Sequence, residues 1–123
     1  VFKSFGRMKA GETFVPKIPS VKIVDLIKSL SDNAEYHLIG LRPGEKIHEI
    51  MCPADTSHET YEYDDHFVIQ PTVAPFYGAH YGENALGEKG KLVNAGFEYT
   101  SQSNPNFLSV KELQSKFNNI LEY

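Results

Sequence analysis

Residues 36–51, YHLIGLRPGEKIHEIM, join two contrasting patterns that together indicate a fold class. The run of apolar residues at 36–41 is typical of a short buried strand. Three apolar residues then return at helical spacing between 44 and 51, which predicts a helix there. Arg42 and Glu45 would therefore lie between the end of a strand and the start of a helix.

The preceding residues extend this pattern toward the N-terminus. In GETFVPKIP (11–19), residues 13–15 favour a short strand that a proline ends. SVKIVDLIKSL (20–30) predicts an amphipathic helix with Ser20 as its N-cap. The order strand, helix, strand predicts an α/β layer with parallel pairing, in which a small sheet is flanked by helices.

The rest of the chain has two further strand signals and one strong helix signal. DHFVIQP (65–71) predicts a strand, residues 72–96 predict a long loop, and FEYTS (97–101) predicts an edge strand. Ser109 and Glu112 have the spacing of a capping box and predict the start of a C-terminal helix. We expect residues 1–123 to form a single domain of the α/β class.

Composition excludes several classes of function. The chain has 123 residues, is 41% hydrophobic and 23% charged, and carries a net charge of -4. Nucleic-acid binding normally needs a basic excess, so no nucleic-acid partner is expected. Cys52 is the only cysteine, and no run of about 18 apolar residues occurs, so we expect no membrane partner and a reducing, cytoplasmic location.

The N-terminal residues suggest association with other protein surface. The sequence begins VFKSFGRMKAGE, without an initiator methionine, which is expected of a cut inside a longer polypeptide. Phe2, Phe5 and Met8 are spaced like the buried side of a helix. Apolar surface that has lost its cover usually finds a partner, so we expect the chain to form homo-oligomers.

Arg42 and Glu45 are the candidate binding residues. A guanidinium presents a planar fork of donors suited to a phosphate, and a carboxylate can accept two hydrogen bonds from a vicinal diol. Ligands of open α/β sheets commonly bind at strand ends, so a phosphate beside a ribose would satisfy both side chains. The alternative is that Arg42 and Glu45 only pair with each other on the surface of a turn.

No catalytic, metal-binding or cofactor-binding residue is predicted. HETYEYDDH (58–66) contains metal-ligand side chains, but its spacing fits no zinc signature and favours an exposed acidic connection. His48 is interpreted as a helix-surface residue, and Cys52 as simple packing. The 123 residues contain no glycine-rich dinucleotide fingerprint, no P-loop and no tyrosine followed four residues later by lysine.

Three blocks of sequence carry a resemblance to a known family. They are GETFVPKIPSVKIVDL (11–26), IGLRPGEKIHEIMCPADTSHETYEYDDHFVIQP (39–71) and FEYTSQSNPNFLSVKEL (97–113). In this order they resemble the C-terminal third of the inverting UDP-N-acetylglucosamine 4,6-dehydratases, a polysaccharide-biosynthesis branch of the extended short-chain dehydrogenase/reductases. A related UDP-sugar 4-epimerase and a stand-alone association module remain as alternatives.

The resemblance implies a division of labour within a longer parent enzyme. Its N-terminal Rossmann domain, absent here, would hold NADP and the catalytic residues, so this chain alone is expected to bind no cofactor and to be inactive. The C-terminal part would close over the UDP-sugar substrate. The arginine and glutamate of the family's RPGE motif match Arg42 and Glu45, which implies that these two residues contact the nucleotide sugar.

Overall fold

The fold is described from a computed structural model, which covers residues 1–31, 33–73 and 79–121. The chain divides into two compact units. Unit 1 comprises Val1–Lys17 and Ile50–Ser103, and unit 2 comprises Ile18–Glu49 together with the chain from Asn104 onward. The predicted class, a mixed α/β fold with small sheets and flanking helices, is confirmed.

Unit 1 is built on a four-stranded antiparallel sheet with the strand order β1-β4-β3-β5. A short helix, a 3-10 helix and a second, two-stranded antiparallel sheet, β2-β6, complete this unit. Its elements are α1 (Phe2–Arg7), β1 (Thr13–Pro16), β2 (Ile50–Cys52), the 3-10 helix Ala54–Glu59, β3 (Thr60–Glu62), β4 (His66–Ile69), β5 (Lys91–Leu92) and β6 (Tyr99–Thr100).

Strand β4 is central because strands pair with it on both sides. Its residues His66, Phe67 and Val68 are buried, as expected of a strand that is covered on both faces. Phe67 packs with Cys52 and Tyr99 in the core of unit 1, and its ring centroid lies 5.0 Å from that of Tyr99. The predicted strands at 13–15 and 65–71 are therefore confirmed as β1 and β4.

Unit 2 contains two helices that pack against each other, α2 (Ile23–Leu30) and α3 (Val110–Leu121). The capping box that begins α3 is confirmed, because the Glu112 carboxylate accepts hydrogen bonds from Ser109 N at 2.8 Å and from Ser109 Oγ at 2.6 Å. Ser20 does not cap α2, which begins three residues later without a side-chain cap. The backbone of Ser20 instead forms a parallel bridge with Phe107.

Three predictions of secondary structure or pairing are wrong. Both sheets are antiparallel rather than parallel. The predicted strand at 36–41 has no regular secondary structure, because no described strand lies beside it. The predicted helix at 44–51 is replaced by a turn and by β2, because Ile50 pairs with Thr100 and this tertiary pairing overrides the local helical spacing.

The predicted loop at 72–96 is only partly described. Residues 74–78 lie outside the described residues. Lys91–Leu92, predicted as part of the loop, forms β5 beside β3. The predicted edge strand at 97–101 is confirmed in its centre, where Tyr99–Thr100 forms β6.

Candidate functional site

Arg42 and Glu45 occupy the two ends of a tight turn in unit 2. The backbone N–H of Glu45 donates to the carbonyl oxygen of Arg42 at 3.0 Å, which closes the turn. Pro43 fixes one central φ angle, and Gly44 has a φ of 86°. Proline followed by a glycine with positive φ is the combination that a type II turn requires. The sequence Arg-Pro-Gly-Glu therefore brings its first and last residues together by local chemistry alone.

The two side chains of this turn form an ion pair. Arg42 Nε lies 3.1 Å from Glu45 Oε1, and the backbone N–H of Arg42 donates to Glu45 Oε2 at 2.9 Å. The side chains are 73% and 45% exposed, respectively. An exposed pair of this kind contributes at most about 1 kcal/mol to the stability of the fold. The ion pair that the sequence offered as an alternative is thus present. It contributes too little to the stability of the fold to explain why these two residues occur here.

The pair leaves binding groups available. Within residues 1–31, 33–73 and 79–121, the structure gives no protein partner to the two Nη nitrogens of Arg42. A guanidinium held by its Nε still presents N–H groups from both Nη atoms, which suits a phosphate oxygen. The arrangement can therefore offer charge-assisted donors to an anion and a carboxylate to a neighbouring hydroxyl. Ligand binding by Arg42 and Glu45 stays a prediction.

A second cluster of ionised groups, in unit 1, was not predicted from the sequence. Arg7 donates from Nη1 to both oxygens of Asp65 at 3.1 Å, and its Nε lies 2.8 Å from Glu88 Oε2. The Arg7 side chain is only 16% exposed. Arg7 and Asp65 are separated by 58 residues in the sequence, so no local pattern could have indicated their contact.

His66 completes this cluster from the start of β4. Its Nδ1 lies 2.7 Å from Asp65 Oδ1, and its ring stacks between Phe14 and Tyr63. Because an ionised carboxylate only accepts hydrogen bonds, Nδ1 carries the proton in this contact. His66 and Arg7 together hold the pKa of Asp65 down at about 2, with the hydrogen bond from His66 the larger cause.

The prediction that residues 58–66 form an exposed acidic connection is wrong. Ala54–Glu59 is a 3-10 helix, Thr60–Glu62 is β3, and the segment ends in the buried His66. The physical reason is that β3 and β4 form a hairpin, in which Tyr63 N donates to His66 O at 2.9 Å. Among the described residues, no group of three or more His, Cys, Asp and Glu side chains is placed to hold a metal ion.

A cavity of about 450 Å³ lies beside this cluster, lined by residues of α1 and β1 and by Asp65 and His66. Nε2 of His66 is buried and has no hydrogen-bond partner in the described part of the chain. The charge of Arg7 is already matched by the carboxylates of Asp65 and Glu88. The cluster therefore acts as a structural network that joins α1 to the β3–β4 turn and to residue 88.

Cys52 lies in the core of unit 1 and is fully buried. Burial raises the pKa of its thiol to about 11, so the reactive thiolate is scarce at neutral pH. Its interpretation as a packing residue is confirmed. His48 is exposed but belongs to no helix, since residues 44–49 are not helical.

Comparisons with known proteins identify relatives of this chain. Two dehydratases of Campylobacter jejuni strains, each named "UDP-N-acetylglucosamine 4,6-dehydratase (inverting)", are 46% and 47% identical to this chain over 114 residues. Each match covers 92% of this chain and 34% of the relative, so the chain spans about a third of the length of these proteins. The match lies in their C-terminal part.

A solved structure shows a similar fold. The X-ray structure of Pen from Bacillus thuringiensis superposes with a TM-score of 0.70 at 27% identity, covering 99% of this chain and 35% of that chain. None of the described helices of this chain is long and apolar enough to cross a bilayer. A sequence model of the family described as "Polysaccharide biosynthesis protein" matches residues 1–71, more than half of the chain. This chain belongs to that polysaccharide biosynthesis family.

Proposed function

We propose that this chain is the substrate-binding portion of an inverting UDP-N-acetylglucosamine 4,6-dehydratase, and that Arg42 and Glu45 contact its UDP-sugar. The observation that carries the assignment of these residues is the exposed Arg-Pro-Gly-Glu turn, whose guanidinium keeps both Nη nitrogens without a protein partner among the described residues. The identity of 46% and 47% to two proteins of that name supports the substrate class.

Each residue has a distinct role in the proposal. Arg42 turns its Nη groups to the diphosphate, whose oxygens accept charge-assisted hydrogen bonds, and Glu45 accepts hydrogen bonds from the ribose diol. In the absence of ligand, the 3.1 Å contact between Arg42 Nε and Glu45 Oε1 keeps the two side chains beside each other on the turn. By binding the nucleotide end, Arg42 and Glu45 would orient the sugar toward catalytic residues in another part of the parent enzyme. Binding energy from a remote part of a substrate contributes to the orientation of its reacting atoms.

The cofactor belongs to the proposed parent enzyme and not to these 123 residues. The chain contains no glycine-rich dinucleotide fingerprint to hold NADP. Bound elsewhere in the parent, NADP would accept and return a hydride. The residues of this chain bind and orient the substrate only. We also propose a cytoplasmic location for the parent, supported by a single cysteine that cannot form an internal disulfide.

A second candidate function, association, is favoured by helix α1. Phe2 and Phe5 of α1 and the adjacent Met8, which the sequence predicts as apolar surface available for association, are exposed. If association is the role of the chain, a pure sample forms a defined oligomer and Phe5→Ser makes it monomeric. Light scattering on both proteins measures this, and a monomeric wild type at high concentration would exclude the association role.

The dehydratase proposal is tested with a joined protein. It consists of the part of a C. jejuni dehydratase that precedes the match, followed by this chain. We expect the joined protein, supplied with NADP, to convert UDP-N-acetylglucosamine to a 4-keto-6-deoxy sugar nucleotide, and the 123-residue chain alone to convert none. Formation of the 4-epimer, or no conversion by a joined protein that folds, would contradict the proposal.

A further inference from the structure

Residues 36–41 combine a strand-like sequence with apolar side chains that are exposed to solvent. Leu38 and Ile39 are adjacent and are 88% and 77% exposed, and Tyr36 and Leu41 are also exposed. Adjacent side chains of a strand point to opposite faces. An edge strand of a sheet that covers one face would bury one of the two, so neither face of this segment is packed.

The backbone of the segment is uncovered as well. Among the described residues, no N–H or carbonyl group of residues 36–41 has a protein hydrogen-bond partner. The run YHLIGL nevertheless favours strand structure through its aromatic and β-branched residues. A row of unpaired backbone groups carrying exposed apolar side chains is a template for pairing with another strand.

We propose that residues 36–41 form a β-strand that pairs with a strand from the part of the polypeptide that the longer relatives have and these 123 residues lack. The C. jejuni dehydratases and Pen each extend well beyond the matched region, since this chain covers 34% and 35% of their lengths. The fold therefore occurs within longer chains, and their additional residues are the proposed source of the partner strand.

Gly40 fits this pairing because it can change conformation at little cost. Its φ is 75°, in the left-handed region, and no atom lies within 4 Å of the position where a Cβ would be. Glycine adopts positive and negative φ about equally well, and a glycine in the left-handed region is also the residue that forms a β-bulge. The strand can thus pair through Ile39 and bend at Gly40, immediately before the turn at Arg42. The pairing does not depend on what Arg42 and Glu45 bind.

Amide hydrogen exchange tests the pairing in proteins that are intact. We compare this 123-residue chain with the intact C. jejuni dehydratase, at the residues that align with 36–41. Formation of a strand slows exchange of the paired amides, and we expect them to exchange at least about 100-fold more slowly in the intact dehydratase. Equally fast exchange in both proteins would overturn the proposal. Protection in this chain that grows with its concentration would also overturn it, because the partner would then be a second copy.

Substitution in the joined protein supplies a second, independent measurement. Ile39→Asp places a charge in the proposed paired strand and is expected to lower the Tm of the joined protein while leaving that of the 123-residue chain unchanged. Leu86→Asp is the matched control, because Leu86 is also exposed but lies in a turn of unit 1, at residues 85–86, outside the proposed strand. Equal effects of Ile39→Asp and Leu86→Asp on the joined protein would contradict the pairing. Loss of pairing and loss of UDP-sugar binding remain distinguishable, because exchange and Tm are measured without substrate.

Discussion

Arg7 and Arg42 are each paired with carboxylates, yet their surroundings differ in almost every other respect. Arg7 is 16% exposed and is held by Asp65 and Glu88, far away in the sequence. Arg42 is 73% exposed and, in the part of the chain that the structure describes, pairs only with the carboxylate three residues later. An arginine whose donors are matched within the protein stabilises the fold, whereas one whose Nη groups face solvent is available to a ligand. Pairing with a carboxylate alone therefore does not distinguish a structural arginine from a binding one.

The variant with the largest expected effect on stability tests how tightly the residues around Arg7 are packed. A Cβ at residue 90 would lie 2.5 Å from Cε2 of Tyr63, a buried ring whose hydroxyl donates to Tyr81 O at 2.7 Å. Gly90→Ala must therefore displace Tyr63, and we expect it to lower the free energy of unfolding by about 3 kcal/mol. Gly6→Ala is the control, since nothing lies within 4 Å of its added Cβ. Equal stability of both variants in urea unfolding would refute tight packing around Tyr63.

Removing Arg7 itself is expected to have the next largest effect. Arg7→Ala leaves two carboxylates, Asp65 and Glu88, without their shared cation, so we expect it to destabilise the chain, though less than Gly90→Ala because solvent screens both half-exposed carboxylates. Lys3→Ala is the matched control on the same helix, because Lys3 is exposed and makes no ion pair with the described residues. Chemical denaturation of both variants measures the difference. If Arg7→Ala were as stable as Lys3→Ala, the network would have no structural role.

The pH dependence of stability is expected to show a smaller contribution from Asp65. Its pKa is about 2 in the folded chain, against an ordinary value of 3.8. The folded state therefore favours the ionised carboxylate, so this contribution is complete above about pH 4 and is lost as the pH falls toward 2. Because the side chain is nearly half exposed, solvent screening keeps the effect modest. Asp65→Asn is expected to flatten the Tm profile between pH 4 and 2, and an unaltered slope would contradict this origin.

Those parts of the fold that local chemistry determines could be predicted from the sequence. The capping box of Ser109 and Glu112 begins α3, and the pairing of Arg42 with Glu45, which the sequence offered as an alternative, occurs across a turn of four adjacent residues. Apolar runs ended by proline also located β1 and β4. In each case the deciding contacts are local, or the burial pattern is strong.

Sequence patterns did not predict those elements whose structure depends on partners distant in the sequence. Residues 36–41 have the composition of a strand but no strand to pair with among the described residues, and residues 50–52 pair with β6 in spite of helical spacing. The network of Arg7, Asp65 and Glu88 spans as many as 81 residues and leaves no periodic signal. Such contacts depend on the tertiary arrangement of unit 1, which no spacing rule supplies.

The most direct test of the binding role of the Arg-Pro-Gly-Glu turn is kcat/KM together with Tm for Arg42→Ala and Glu45→Ala in the joined protein. Loss of one charge-assisted contact is worth about 1.5 to 3 kcal/mol, so we expect kcat/KM to fall roughly 10-fold to 150-fold. Arg42→Lys should remain impaired because a point charge lacks the fork, and Glu45→Gln should lose less than Glu45→Ala because the amide keeps an acceptor.

Stability is expected to separate this result from a structural effect. Since the pair is exposed, either alanine variant should change the free energy of unfolding by less than about 1 kcal/mol, with NADP binding intact. Lys28→Ala, on the exposed side of α2, is the control and should change neither quantity. The account predicts a large loss of kcat/KM at nearly constant Tm for Arg42→Ala and Glu45→Ala. Unchanged kcat/KM in both variants would contradict it and remove these residues from the site.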